Sequence, residues 1–255
     1  EPIVREYTDE RIVFIRHPEN RGAGAAHNTG IKAAKYDWIA FICHDDEWLP
    51  NKLEVCLPYI EQNYPEYKFF FHFPIVIDNF KKVEGSNPKP KTGNYYTNFL
   101  LNRDRNIQTS CIIVHKECFE KYGYYDETGV LIDWDLYLRF SLYIDFYCIN
   151  EFLSNYHISN IGITQINPIF KNNRAGNDIY TFYYKWEKTI KSNIEAKKLW
   201  TYQWNTFASV FLINKRYKDT LKSYWESIKL NPFWRGNYID LIKNLPKIIK
   251  LMIKN

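Results

Sequence analysis

Asp45 and Asp46 stand side by side directly after an apolar run, Trp38-Ile39-Ala40-Phe41-Ile42-Cys43, and are followed by Trp48 and Pro50. The run predicts a buried strand over 38–43 that delivers two carboxylates at its C-terminal end. In open α/β sheets, ligands bind beyond the carboxyl ends of the strands. Acids placed there can hold a hard cation or move a proton. An Asp pair in a solvated turn is the ordinary alternative, and the pair by itself leaves both open.

The surrounding pattern supplies elements that would position such a pair. Residues 11–16, Arg-Ile-Val-Phe-Ile-Arg, predict a short strand. Residues 22–35 predict a helix, with Ala23, Ala25, Ala26, Ala33 and Ala34 favouring it and Gly22, Gly24 and Gly30 permitting close approach of another backbone. Leu53, Cys56, Leu57 and Ile60 recur at helical spacing within 52–63, and 68–77 is a run of β-type residues. Strand and helix in alternation predict an α/β fold with a mixed, mostly parallel sheet flanked by helices. Residues 78–92 read as a loop, 108–115 as a strand, 116–122 and 133–143 as helices, 146–150 as a strand, and 160–177 as a loop. From residue 178 the pattern changes to amphipathic helices over 179–190, 194–212 and 215–230, with Asn231-Pro232 as a break. The expected organisation is therefore an α/β domain over 1–177 and a helical region over 178–255.

Bulk properties exclude several classes. A chain of 255 residues that is 45% hydrophobic and 18% aromatic is globular rather than disordered. A net charge of +5 is too mild to indicate nucleic acid, and fits an anionic small substrate or an anionic membrane surface. The five cysteines are odd in number and include no Cys-x-x-Cys pair, so reduced, buried thiols and a cytoplasmic setting are expected. No apolar run reaches the roughly 18 residues of a membrane span. The last stretch, 230–255, holds five Lys or Arg against one Asp, with Leu241, Leu245, Ile248, Ile249 and Met252 among its apolar residues. Two readings stand for it: peripheral contact with the inner face of a membrane, or packing of its apolar face on the rest of the chain.

Several blocks together resemble the family 2 inverting glycosyltransferases. The run Asn20-Arg21-Gly22-Ala23-Gly24-Ala25-Ala26-His27-Asn28-Thr29-Gly30, followed by 38–50, is similar to their N-x-G-x-x-x-A-R-N-x-G and D-x-D-D blocks. Tyr122-Gly123-Tyr124-Tyr125-Asp126-Glu127 resembles their G-x-F-D-E turn. Leu131-Ile132-Asp133-Trp134-Asp135-Leu136-Tyr137-Leu138-Arg139 resembles their E-D-W-D-L-W-L-R helix. The resemblance implies a GT-A fold, a nucleotide-diphosphate-sugar donor, a glycan, lipid-linked or protein acceptor, and Mn²⁺ or Mg²⁺.

By position in those motifs, Asp133 is implied as the catalytic base, although an Asp there also suits a helix cap. Asp45 is implied as the metal-bridging carboxylate, with Asp46 supporting it or contacting the donor. Asn20, Gly22, Asn28 and Trp134 are implied around the donor, and His157 as a further metal ligand. Arg174 would contact phosphate from a lid over 160–177. Asp135 and Arg139, four apart, suit a helix-surface ion pair.

The departures remove charge. Cys43 stands where the family has Asp, His27 where it has Arg, and Ile132 where it has Glu. The family's opening strand-helix-strand, which carries nucleoside-binding Asp residues, would precede Glu1. A catalytically impaired relative that binds glycan or scaffolds an assembly is thus the competing expectation.

Overall fold

In the computed structural model the described residues are 4, 6–78, 81–83, 91–96, 98, 107–128, 131–158 and 173–254. A mixed sheet runs β1 (Trp38–Ala40), β5 (Ile112–His115), β3 (Phe69–Asp78), β6 (Tyr147–Ile158), β2 (Glu47–Trp48), with β4 (Lys81–Val83) on β3. Helices α1 (Ala23–Ala33), α2 (Lys52–Asn63), α3 (Lys116–Tyr122) and α4 (Ile132–Ser141) flank it. Among the described residues four helices then follow: α5 (Asn173–Ser192), α6 (Ile194–Ile213), α7 (Tyr217–Leu230) and α8 (Arg235–Lys254). This is the α/β sheet with helical extension that a GT-A fold implies.

The strand β3 shows why the sheet forms. Phe69, Phe70, Phe71, His72 and Phe73 are all buried, so both faces of the strand are covered. Phe69, Phe71 and Phe73 face one cluster with Ile31 of α1, Phe119 of α3 and Leu136 of α4. Phe70 faces the other, with Cys56 and Ile60 of α2. The period-two alternation of a strand thus sorts its aromatics between two layers.

Several expectations are corrected. The sheet is mixed, but among the described strands only β3 and β6 pair in parallel; β1–β5, β3–β5, β3–β4 and β2–β6 are antiparallel. Residues 11–16 form no strand, and Ile12, Val13, Phe14 and Ile15 are exposed. Local β-type residues do not make a strand without a neighbouring strand to bond, and no described strand pairs with them. The strand expected over 38–43 ends at Ala40, and beyond it the Phe41 N–H alone reaches β5, 3.5 Å from the Ile112 carbonyl, among the described backbone bonds. Of the expected loop over 78–92, Lys81–Val83 returns as β4 against β3. Residues 173–177, read as loop, are instead the start of α5; the remainder of the expected lid, residues 160–172, lies outside the described residues.

The helical region does not pack apart from the sheet. One apolar cluster joins Leu136 and Phe140 to Phe182, Trp186, Trp200 and Trp204, across the expected boundary at 178. Farther on, Asn205, Ser227 and Asn237 hydrogen-bond one another in the buried seam of α6, α7 and α8.

Candidate active site

Residues 41–46 leave β1 as a pinned turn that runs into β2. The Cys43 N–H donates to Ser110 Oγ at 2.9 Å, Asp46 N–H returns to the Cys43 carbonyl at 3.2 Å, and Trp48 Nε1 donates to the Phe41 carbonyl at 3.1 Å. The turn carries three groups that can meet a cation. One atom each from Cys43, Asp45 and Asp46 lie within 4.8 Å of one another.

Their environments differ. Asp46 is buried, accepting the Ser110 hydroxyl at 2.5 Å and the His157 backbone N–H at 3.3 Å. Burial nonetheless lifts its carboxyl above the ordinary value. It does not cap α2, whose N-cap is Asn51. Asp45 projects outward with its side chain 35% exposed, beside the His44 ring at 3.8 Å. Burial raises the Cys43 thiol, and the carboxylates of Asp46, Asp133 and Asp45 raise it further. The turn therefore sits in a negative field that a cation would offset, and its oxygen and sulfur atoms fit a divalent ion.

Asp133 lies in the first turn of α4. Burial raises its carboxyl to about 6, against a weaker opposing hydrogen bond from Thr109. Its Oδ1 is enclosed and makes no hydrogen bond among the described residues. A carboxylate near this value, with one oxygen unengaged, suits a general base at neutral pH. It does not cap the helix, since Leu131 is the N-cap.

Beneath the turn is a support that the sequence motifs did not mark. Ser110 Oγ bonds both Cys43 and Asp46, and its carbonyl accepts Lys52 Nζ at 2.9 Å. Lys52 is 1% exposed, its Nζ is 4.0 Å from the Trp48 ring centre, and burial lowers its pKa to about 8. Ser154 Oγ also donates to the Ser110 carbonyl, at 3.3 Å. Nothing local in the sequence marks this support.

Other expected residues fall elsewhere. Asn28 is buried, with Nδ2 donating to the Tyr125 carbonyl and to Glu127, and Oδ1 accepting the Tyr125 N–H at 2.9 Å. Both its amide hydrogens are spent joining α1 to the 125–127 turn rather than facing a donor. Gly24 has the same address: a Cβ there would meet the Asp126 carbonyl oxygen at 2.6 Å. Trp134 stacks on Phe182 at 4.6 Å, so its ring forms part of the seam with α5. Asn20 Oδ1 accepts the Gly22 N–H, and the φ of +85° at Gly22 suits only glycine. Both line a cavity of about 510 Å³ with Arg16, His17 and Arg21, which does not include Asp45 or Asp133. The His157 ring is 3.5 Å from Glu47 and is not among the three converging ligand groups. Arg174 lies in α5.

The Asp135–Arg139 pair is buried rather than superficial. Asp135 is 4% exposed and accepts Arg139 Nε at 3.2 Å, Lys185 Nζ at 2.7 Å and Trp186 Nε1 at 3.1 Å. Arg139 also donates to the carbonyls of Tyr122, Gly123 and Tyr124. The helix carrying Asp133 is thus tied both to the 122–124 turn and to α5. All five cysteines are free thiols.

Residues 1–123, just under half of the chain, match the model of glycosyl transferase family 2. An uncharacterized glycosyltransferase of Methanocaldococcus jannaschii is 27% identical over 63% of this chain and 56% of its own length. A UDP-Glc:alpha-D-GlcNAc-diphosphoundecaprenol beta-1,3-glucosyltransferase of Escherichia coli is 38% identical over 44% of this chain and 41% of its own. An amylovoran biosynthesis glycosyltransferase of Erwinia amylovora is 26% identical over 94% of this chain and 77% of its own. The chain spans about half the length of the first two.

Proposed function

We propose, for a chain whose residues 1–123 match the model of glycosyl transferase family 2, that it moves a sugar from a nucleotide-diphosphate donor to a glycan, lipid-linked or protein acceptor with inversion. Asp133 takes the proton of the acceptor hydroxyl as that oxygen attacks the anomeric carbon. The bond from that carbon to the diphosphate oxygen breaks on the opposite face, and the electron pair leaves with the diphosphate. Asp45 and Cys43, braced by Asp46, would hold Mn²⁺ or Mg²⁺, which when bound neutralises charge on the leaving diphosphate. A lipid-linked acceptor, as in the name of the Escherichia coli relative, would place the reaction at the cytoplasmic face of a membrane.

The observation that carries this reading is the enclosed Oδ1 of Asp133, without a hydrogen bond among the described residues, on a carboxyl raised to about 6 whose charge reaches Cys43 in a turn of groups that could hold a cation. The test is a screen of nucleotide-sugars with Mn²⁺, scored for nucleoside diphosphate release by the wild type and by Asp133→Asn. Release by the wild type, lost in the variant, supports transfer. Donor binding without release in either protein favours the impaired relative, to which Cys43 and Ile132 in place of acids point.

A further inference from the structure

The helix α8 turns an apolar stripe to solvent. Ile239, Ile242, Pro246, Ile249 and Ile253 recur at alternating spacings of three and four, so they share one face. The four isoleucines are 62, 68, 46 and 79% exposed, while Asn237 and Ile248 on the opposite face are buried. Only the inner face of α8 therefore packs on the rest of the chain.

The charge along the stripe has one sign. Lys243, Lys247 and Lys250 are exposed along one flank, and no acid follows Asp240 in the helix. Lys247 and Lys250 also line, with Lys215, a groove of about 660 Å³ between α6 and α8. Its other walls include Leu212, Ile213 and Leu251. Apolar surface and ammonium groups thus lie side by side over the length of a 20-residue helix.

Two occupants could cover this face. A second copy paired along the stripe would bring two lysine rows together with no acid in the stripe to offset them. An anionic bilayer complements both features, taking isoleucines into the acyl boundary and lysines onto the phosphates. No described helix is long and apolar enough to cross a membrane, so α8 would lie along the surface. We infer that α8 docks this chain on an anionic phospholipid bilayer, with Ile239, Ile242, Ile249 and Ile253 inserted and Lys243, Lys247 and Lys250 on the headgroups. The inference rests on α8 alone and is independent of the glycosyl-transfer reading.

The test is flotation of the full chain with vesicles of phosphatidylcholine alone and of phosphatidylcholine mixed with phosphatidylglycerol. Binding is expected only to the mixed vesicles. Replacing the three lysines by glutamate should weaken it roughly a hundredfold or more. Replacing Ile239, Ile249 and Ile253 by serine should weaken it as well, with unchanged thermal unfolding, since these side chains are exposed. Absence of binding, or equal binding by wild type and both variants, overturns the inference. So does a wild-type dimer in light scattering that the serine variant converts to monomer, because the stripe is then a subunit interface. Asp133→Asn should float like the wild type, so loss of sugar transfer and loss of docking are read separately.

Discussion

The hydroxyl of Ser110 donates to Asp46 Oδ2 at 2.5 Å while its oxygen accepts the Cys43 N–H at 2.9 Å. One side chain, more than sixty residues away in sequence, therefore fixes both ends of the turn from which Asp45 projects. Ser110→Ala would leave a buried carboxylate oxygen and a backbone N–H without that partner. The expected cost is about 2 kcal/mol of stability, measured by urea unfolding. Weaker cation binding at Asp45 should accompany it, because the turn that aims Asp45 would loosen. A variant as stable as the wild type would show that the bond contributes nothing net.

Cys43 makes the turn softer than one built only from oxygen. Sulfur ligands favour Zn²⁺ and Cd²⁺ over Mg²⁺. Cys43→Asp is expected to raise affinity for Mn²⁺ and Mg²⁺ and lower it for Cd²⁺, read by calorimetric titration of the metal alone. With Co²⁺ the wild type should show a thiolate charge-transfer band that the variant lacks. The same Cd²⁺ affinity in both proteins would remove Cys43 from the ligand set.

The α5 helix reaches the site through Asp135. Its carboxylate holds Lys185 Nζ at 2.7 Å and Trp186 Nε1 at 3.1 Å while being nearly sealed from solvent. Asp135→Asn removes the buried charge that Arg139 and Lys185 share, and should destabilise by about 3 kcal/mol. Lys185→Met should cost about 1 kcal/mol or less, because that lysine is 40% exposed and its contribution is screened. Equal losses in urea unfolding would contradict this ordering.

The elements around the site could be read in the sequence where local signals agreed. The helix expected over 52–63 is α2, Lys52–Asn63, because apolar spacing and the Asn51 boundary point the same way. The short helix α3, Lys116–Tyr122, was equally legible, closing at Gly123, where φ is +92°. Residues 11–16 misled because β-type side chains say nothing about whether a neighbouring strand is present. The acid pair and Asp133 were visible as motif positions. The roles of Ser110 and Lys52 were not, because a bond across sixty residues leaves no local pattern. Asn28 and Trp134 show the same limit. The motif marks their positions, while tertiary contacts to Tyr125 and Phe182 occupy their side chains.

A buried base costs stability when it is ionised. The Asp133 carboxyl is lifted from 3.8 to about 6 on folding, so the unfolded chain releases its proton first. The destabilisation is absent below pH 3.8, grows as pH rises through about 6, and reaches about 3 kcal/mol above it. Asp133→Asn, kept neutral, should therefore melt several degrees above the metal-free wild type at pH 8 and level with it near pH 4. A difference independent of pH would mean that Asp133 does not titrate as an enclosed group.

The central claim is that Asp133 is the base of a sugar transfer. The most direct measurement is the pH profile of kcat/KM for nucleoside diphosphate release from a turned-over nucleotide-sugar, for wild type and Asp133→Asn at saturating Mn²⁺. The wild-type rate should rise with pH to a plateau reached by about 6 or below, since bound Mn²⁺ lowers the metal-free value, and the variant should lose roughly a hundredfold or more with no such rise. A variant that keeps the wild-type rate and the same rise would contradict the claim.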